Sequence, residues 1–380
     1  MSATAVQSRT VPPIPAAPPQ RDRYRVSIEQ YRLFRQQGFL AVPGLVSQEE
    51  VAELRQHTED LMQGRLPEQT QEMKDANITS GTSIQALESP PSHLSPEEKA
   101  QFFLRIHMLH RQLELHERYM LHPGVLDVLE AIIGPDVLAL QTMLFLKPPG
   151  KPGQGWHQDR FYIPTHPDTL CGAWIAIDDC DEQNGAMWMA LGSQVEPVYP
   201  NDPANGFSGF GHRELSNIRH AAGISDTDDS KNDLARIADR YPQVLVPAKA
   251  GDVVFFGGHV LHRSKQNFTT DRFRRSFVSH YCNARSFTQW GADQDHGDPD
   301  SYPAVDPLTR MTNGSHILAR GDTHLPFARP RFGTRCAALL TGEERARERD
   351  IALAAMADMD SDMMEMTPAN PNLKDDHGGY

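Results

Sequence analysis

Apolar residues recur at helical spacing in SIEQYRLFRQQG, which starts at Ser27 and ends at Gly38, a helix stop signal. FLAVPGL (39–45) reads as a short strand or extended turn, and SQEE (47–50) is a capping box ahead of the helical VAELRQHTEDLMQ. QFFLRIHMLHRQLELHERYML (101–121) reads as one long amphipathic helix and GVLDVLEAIIG (124–134) as a shorter one. The stretch 65–98 is polar and punctuated by proline, so it reads as loop, and the Pro-rich residues 1–26 read as a disordered arm.

Beyond residue 135 the pattern changes. DVLALQTMLFLKPPG (136–150), TLCGAWIAIDDCD (169–181), GAMWMALGSQ (185–194), YPQVLVPAKAGDVVFFGG (241–258) and RRSFVSHYC (274–282) are β-like runs separated by Gly, Pro, Asn and Asp. Many short strands without helices between them predict a mainly β fold with flanking helices and a jelly-roll (double-stranded β-helix, cupin-like) core. One domain is expected over 27–335, with a helical part (27–135), the core (136–285) and a polar insertion or lid (196–243). A C-terminal helix in EERARERDIALAAMADM (343–359) and a disordered tail fill 336–380.

The net charge of −13 disfavours a nucleic-acid partner and an anionic membrane surface, leaving RFRR (272–275) as the best local basic patch. Cys171, Cys180, Cys282 and Cys336 form no C-x-x-C pair and read as reduced thiols of a cytoplasmic protein. No run of about 18 apolar residues predicts a membrane span, and the N-terminus lacks a signal pattern.

Among the 17 histidines, three H-x-D matches occur: His157/Asp159, His166/Asp168 and His296/Asp298. On an extended chain residues i and i+2 point the same way, so H-x-D can deliver two of the three ligands of a two-His, one-carboxylate iron site. Proline separates the second pair and turn formers surround the third; only His157/Asp159 follows a strand and leads into aromatic residues. Downstream, GDVVFFGGHVLHRSKQN brings His259 and His262, which lie on opposite strand faces by their spacing. In RFRRSFVSHY, Arg274, Ser276, Val278 and His280 share one face, and Arg275, Phe277 and Ser279 the other. An inward arginine on a barrel strand calls for an anion, and a guanidinium suits a carboxylate. His107, His110 and His116, interleaved with Arg105, Arg111 and Arg118, read as solvated-face or interhelical residues.

WHQD (156–159), AWIAIDDCDEQNGAMWMALGSQ (173–194), GDVVFFGGHVLHRSKQN (251–267) and FRRSF (273–277) together resemble the phytanoyl-CoA dioxygenase family of Fe(II)/2-oxoglutarate oxygenases, over roughly residues 28–285. The resemblance implies an Fe(II)-dependent dioxygenase that hydroxylates an unactivated C–H while 2-oxoglutarate and O2 are consumed and succinate is formed. It implies His157, Asp159 and His262 as iron ligands, Arg274 as the residue that takes the distal carboxylate of 2-oxoglutarate, and Trp174, Gln141 and Lys147 as further cosubstrate contacts. The extra residue in NFTTDRFRR leaves Arg275 or Arg272 as alternatives to Arg274. Asp159 speaks against a halogenase, in which a small residue replaces the carboxylate. Without a phosphate cradle the acyl-CoA substrate is not carried over; a small metabolite or natural product is expected, with Trp156, Phe161, Tyr162 and Trp188 as pocket or core aromatics. The C-terminal hundred residues cover the barrel mouth or mediate a homo-oligomer contact on this reading. Two rival readings are a cupin-like metalloenzyme that does not use 2-oxoglutarate and a non-catalytic jelly-roll binding protein.

Overall fold

The computed structural model describes residues 23–63, 65, 105–107, 109–111, 113–199, 229–286, 288, 316–321 and 323. Two antiparallel sheets face one another. The larger contains β1 (Phe39–Val42), β8 (Val253–Gly257), β5 (Cys171–Ala176), β10 (Arg274–Asn283), β3 (Val137–Lys147) and β11 (Ile317–Arg320) in that order, with β2 (Arg105–His107) also paired to β3. The smaller has the order β4 (Gln154–His157), β9 (His262–Ser264), β6 (Met187–Ala190), β7 (Gln243–Val246). This is the jelly-roll core with flanking helices. Strands from outside 136–285 complete it, because β1 pairs with β8, and β2 and β11 share the free edge of β3.

Both faces of the large sheet are buried, and alternation decides what each face meets. Cys171, Ala173, Ile175, Val253, Phe255, Phe277 and Tyr281 pack under helices α1 (Ile28–Gln37), α2 (Gln48–Met62), α3 (Glu114–Met120) and α4 (Pro123–Ile133). Trp174, Ala176, Val254, Phe256 and Val278 point the other way, toward Met187, Met189 and Val246 of the small sheet. That second space is the chamber in which the site lies. Asp159–Tyr162 forms the short helix α5, and Asp233–Ala238 forms α6, which covers the outer face of the small sheet over Trp156.

Local signals fold as their chemistry dictates. Gly38 closes α1 in the left-handed conformation (φ 84°), and both halves of the Ser47/Glu50 capping box are made. Gly251 (φ 96°) makes the turn before β8, where a Cβ would stand 2.4 Å from the Val46 carbonyl. The long helix expected over 101–121 is not formed: β2 pairs with Phe145–Met143 of β3, Leu109–Arg111 is a turn of 3-10 helix, and only α3 is α-helical. Pairing with a sheet edge outweighs helical periodicity here. His110 and His116 are both buried, so of the two settings expected the interhelical one holds for His116 and neither holds for His110. His110 Nδ1 is 3.0 Å from Thr142 Oγ1, and His116 Nε2 lies 3.1 Å from His57 Nε2, between α3 and α2. Residues 23–26, inside the expected arm, lie against α4, where Tyr24 N–H and Arg23 Nε–H donate to Asp127. The expected C-terminal helix and tail, His296/Asp298, and most of 65–98 lie outside the described residues, and no described helix is long and apolar enough to cross a membrane.

The Glu50 carboxylate holds α2 to α4. It accepts from Ser47 N–H at 2.7 Å and stands 3.2 Å from His122 Nε2. Burial would raise its pKa, but His122 and Ser47 outweigh this and bring it down to about 2 from 4.5. Glu50 therefore contributes stability that is fully present above pH 4.5 and is lost as pH falls through about 2. Glu50→Gln is expected to cost ~1–3 kcal/mol in urea denaturation at neutral pH. The gap to wild type should narrow as the denaturation series moves down from pH 4.5 toward 2.

Candidate active site

His157 ends β4 and His262 begins β9, and the two are direct cross-strand partners with ring centroids 4.1 Å apart. Gly153 lets β4 approach β9 this closely, since a Cβ there would fall 1.7 Å from the Ser264 carbonyl oxygen. The strand stops at His157, but Gln158 keeps an extended conformation (φ −122°, ψ 127°), so Asp159 still projects on the side of His157 before the chain turns into α5. Gln158 points the other way and donates to the carbonyls of Pro197 and His259.

Asp159 Oδ1 lies 3.6 Å from His157 Nε2 and 3.7 Å from His262 Nε2. One ligand atom from each of the three residues falls within 4.8 Å of the others, the one such group of His, Cys, Asp or Glu among the described residues. The Nδ1 of each imidazole meets a backbone carbonyl. His157 Nδ1 is 2.9 Å from the Gly155 carbonyl and His262 Nδ1 is 3.0 Å from that of Val260, so both must donate there. Both Nε2 lone pairs are thereby turned toward Asp159, the arrangement metal-binding histidines need. Burial would raise the Asp159 pKa, but His262, His280 and His157 outweigh it and hold the carboxyl well below its usual range. Two neutral imidazoles and one ionised carboxylate, spaced for ligands about 2.1 Å from one ion, fit a divalent metal. The other oxygen, Oδ2, is 2.7 Å from His280 Nε2, and His280 Nδ1 is 2.9 Å from Gln141 Nε2.

The three arginines of RFRR separate cleanly. Arg272 is forked onto Asp181 at 2.7 and 3.0 Å. Arg275, on the helix side of β10, meets Asp178 through its backbone N–H (2.9 Å), Nε (2.8 Å) and Nη2 (2.9 Å), and also reaches Glu59. Burial would lower its pKa, but these carboxylates keep it raised. Arg274 is 4% exposed and faces the chamber, where Nη1 donates to Ser276 Oγ at 3.0 Å and the guanidinium sits 5.8 Å from the centre of the Trp174 ring. Its Nε has no hydrogen-bond partner, no carboxylate pairs with it among the described residues, and burial lowers its pKa. Of the three, Arg274 is the cation able to receive an anion from outside the chain.

The remaining candidates spread along this chamber. Lys147, opposite Arg274 in the register, donates to Ser264 Oγ (3.0 Å) and to the Lys265 carbonyl (2.6 Å). Gln141, opposite His280, has an Oε1 without a hydrogen-bond partner. Trp156 and Trp188 belong to the core under α6, where Arg263 and Lys265 stack on them, whereas Tyr162 stands beside His157 with ring centroids 6.3 Å apart. His259 turns away from the triad, bonding Asp168 and the Glu196 carbonyl. At the rim, the Glu196 carboxylate accepts from Tyr199 and, at 2.5 Å, from Tyr241, drawing together both ends of the chain segment between them.

The sequence profile of the family described as phytanoyl-CoA dioxygenase matches residues 34–276. This chain belongs to the phytanoyl-CoA dioxygenase family. A probable phytanoyl-CoA dioxygenase of Caenorhabditis elegans is 30% identical over 268 residues, covering 68% of this chain and 76% of that protein. The peroxisomal phytanoyl-CoA dioxygenase of Homo sapiens is 27% identical, over 69% of this chain and 70% of that protein. Among solved structures, the epimerase SnoN in complex with Fe3+, α-ketoglutarate and nogalamycin RO is 18% identical with a TM-score of 0.49, covering 77% of this chain and 95% of that one; a likeness at this level adds nothing to the family assignment.

As a phytanoyl-CoA dioxygenase family member bearing this His-Asp-His group, the protein is an Fe(II)/2-oxoglutarate-dependent dioxygenase that acts on a small molecule. The sequence puts His280 on the face of Arg274 but does not reveal its link from Asp159 to Gln141. The available signal was the shared strand face of Arg274 and His280; their partners become visible only once β10 is laid beside β3 and β5. The different surroundings of the two arginines separate their variants. Arg275→Met removes two side-chain hydrogen bonds from Asp178, which keeps Arg55 at 3.4 Å, and should cost ~1–3 kcal/mol in chemical denaturation. Arg274→Met removes a buried charge to which no described carboxylate is hydrogen-bonded and should stay within about 1 kcal/mol of wild type or exceed it.

Proposed function

We propose that the protein hydroxylates an unactivated C–H bond of a small metabolite or natural-product scaffold in the cytoplasm, with His157, Asp159 and His262 holding Fe(II) and Arg274 anchoring 2-oxoglutarate. The observation that carries this reading is the buried, uncompensated guanidinium of Arg274 on the same inward strand face as His280, which bonds Asp159. A metalloenzyme without 2-oxoglutarate, or a binding protein, has no use for such a charge, which is costly to bury unpaired.

Bound iron, with 2-oxoglutarate and O2, supplies oxidative decarboxylation of the cosubstrate to succinate and CO2 and oxygen transfer to the substrate. The chain does the rest. Gly155 and Val260 hold the two imidazoles in the ligating tautomer. Arg274 offers a forked donor to the far carboxylate, the pairing its planar geometry suits, with Ser276 steering the guanidinium and Trp174 walling the pocket. Lys147 and Gln141 bound the cosubstrate space at its two ends, beside Arg274 and His280. Trp174, Met143, Val278 and Phe256 keep the chamber apolar, which excludes water and strengthens the charge pairing inside it. An acyl-CoA is not favoured. Two of the three RFRR arginines are already committed to carboxylates, and the net charge of −13 offers no general attraction for a nucleotide phosphate. The three described cysteines are free and buried, which suits a reducing compartment.

The test is anaerobic addition of 2-oxoglutarate to Fe(II)-loaded protein, followed in the visible for the weak metal-to-ligand charge-transfer band. The band should form in wild type and fail in Asp159→Ala. In Arg274→Ala the apparent 2-oxoglutarate affinity should fall by a factor on the order of 10–100, the worth of a charge-assisted bidentate bond. A fully iron-loaded wild type without the band would exclude 2-oxoglutarate and return the choice to a cupin-like enzyme or a binding protein.

A further inference from the structure

We infer that His280, held by Gln141, is a positioning residue that restricts Asp159 to a single coordinating oxygen. The inference rests on the iron reading of the site and extends it to residues outside the ligand set. Asp159 presents its two oxygens to different partners: Oδ1 faces His157 and His262, while Oδ2 is engaged by His280 Nε2 at 2.7 Å. An ionised carboxylate only accepts, so His280 Nε2 must carry the proton. The other ring nitrogen, Nδ1, lies 2.9 Å from Gln141 Nε2, whose second hydrogen is directed to Met143 Sδ at 3.4 Å. An amide nitrogen only donates, so Nδ1 must accept, and the ring is fixed as the Nε2–H tautomer. Donation thus runs in one direction, from Gln141 to His280 to Asp159.

All three members are placed by rigid elements. Gln141 and His280 are register partners on β3 and β10, and both are buried, at 2% and 3% exposure. Beneath His280, Gly172 of β5 carries no side chain and the Phe256 ring closes over it; a Cβ there would meet that ring at 2.6 Å. His280 is thus set on a strand paired on both edges, with Oδ2 as the partner of its Nε2. The chemical consequence concerns counting. Three protein ligand atoms leave three positions of an octahedral ion, two for a chelating 2-oxo acid and one for O2. A carboxylate free to turn could chelate through both oxygens and consume one of them. His280 withholds Oδ2 from the metal and so keeps the count at three.

The experiment uses Co(II), whose visible ligand-field bands report coordination number, added to metal-free full-length protein under argon and followed by 2-oxoglutarate. Wild type should bind one Co(II) and change its spectrum on adding 2-oxoglutarate. His280→Leu, folded as judged by an unchanged melting temperature without metal, should bind Co(II) on the order of 10–100-fold more weakly and with altered band intensity. His280→Gln restores a donor toward Oδ2 and should recover most of that affinity. Equal affinity and spectra for wild type and His280→Leu would overturn the inference while leaving the iron site standing. A wild type that binds no Co(II) would overturn the site itself. If His280→Leu does not fold, the wild-type protein decides the matter through nitrogen-15 NMR of its histidines in the Zn(II) form, with His280 assigned from the Gln variant. An Nε2–H, bare-Nδ1 tautomer supports the inference, and an Nδ1–H tautomer overturns it, because that ring cannot donate to Asp159.

Discussion

Register on β10 governs the site. The strand is paired on both edges and buried on both faces, so each residue is committed either to the helices or to the chamber. A slip of one residue would exchange Arg274 with Arg275 and Val278 with Phe277. Asp178 opposes such a slip, because it grips Arg275 through backbone and side chain together and can do so in one register only. A salt bridge on the helix side of the sheet therefore determines which guanidinium enters the chamber.

The chamber gathers charge in a place that would ordinarily exclude it. Asp159 is stabilised as an anion by three imidazoles, and Arg274 is a cation with only a hydroxyl and an aromatic ring for company. Their cost is offset elsewhere, chiefly by the apolar layer between the large sheet and α1–α4, which is the larger core of the molecule. Site and stability are segregated by strand alternation: odd-numbered positions of β10 serve the helix layer, even-numbered positions serve the chemistry.

Much of this could be read from the chain itself. The β-like runs after residue 135 appear as strands, and strand context singled out His157/Asp159 from three equivalent spacings, the same pair that clusters with His262 in space. The failures have physical causes. Leu104 to Leu121 carries helical periodicity, yet the edge of β3 recruits Arg105–His107 as a strand, a choice made by a partner about forty residues away. Three neighbouring arginines look alike in a string of letters; only Asp181, Asp178 and Glu59, brought in by other elements, assign two of them to ion pairs. His280 was visible as a residue on the right face, but its bond to Asp159 requires α5 and β10 to converge.

Glu196 gathers Tyr199 and Tyr241 onto one carboxylate, while Gln158, between His157 and Asp159, ties down Pro197 and Tyr199. Tyr199 and Tyr241 are thus clasped together beside His157 and Asp159. For a segment whose ends are already fixed, doubling its length costs only about 0.6 kcal/mol of closure entropy. A change of length between positions 199 and 229 therefore carries a small entropic cost while His157, Asp159 and His262 behind the clasp keep their places: the architecture lets the rim vary without loosening the site.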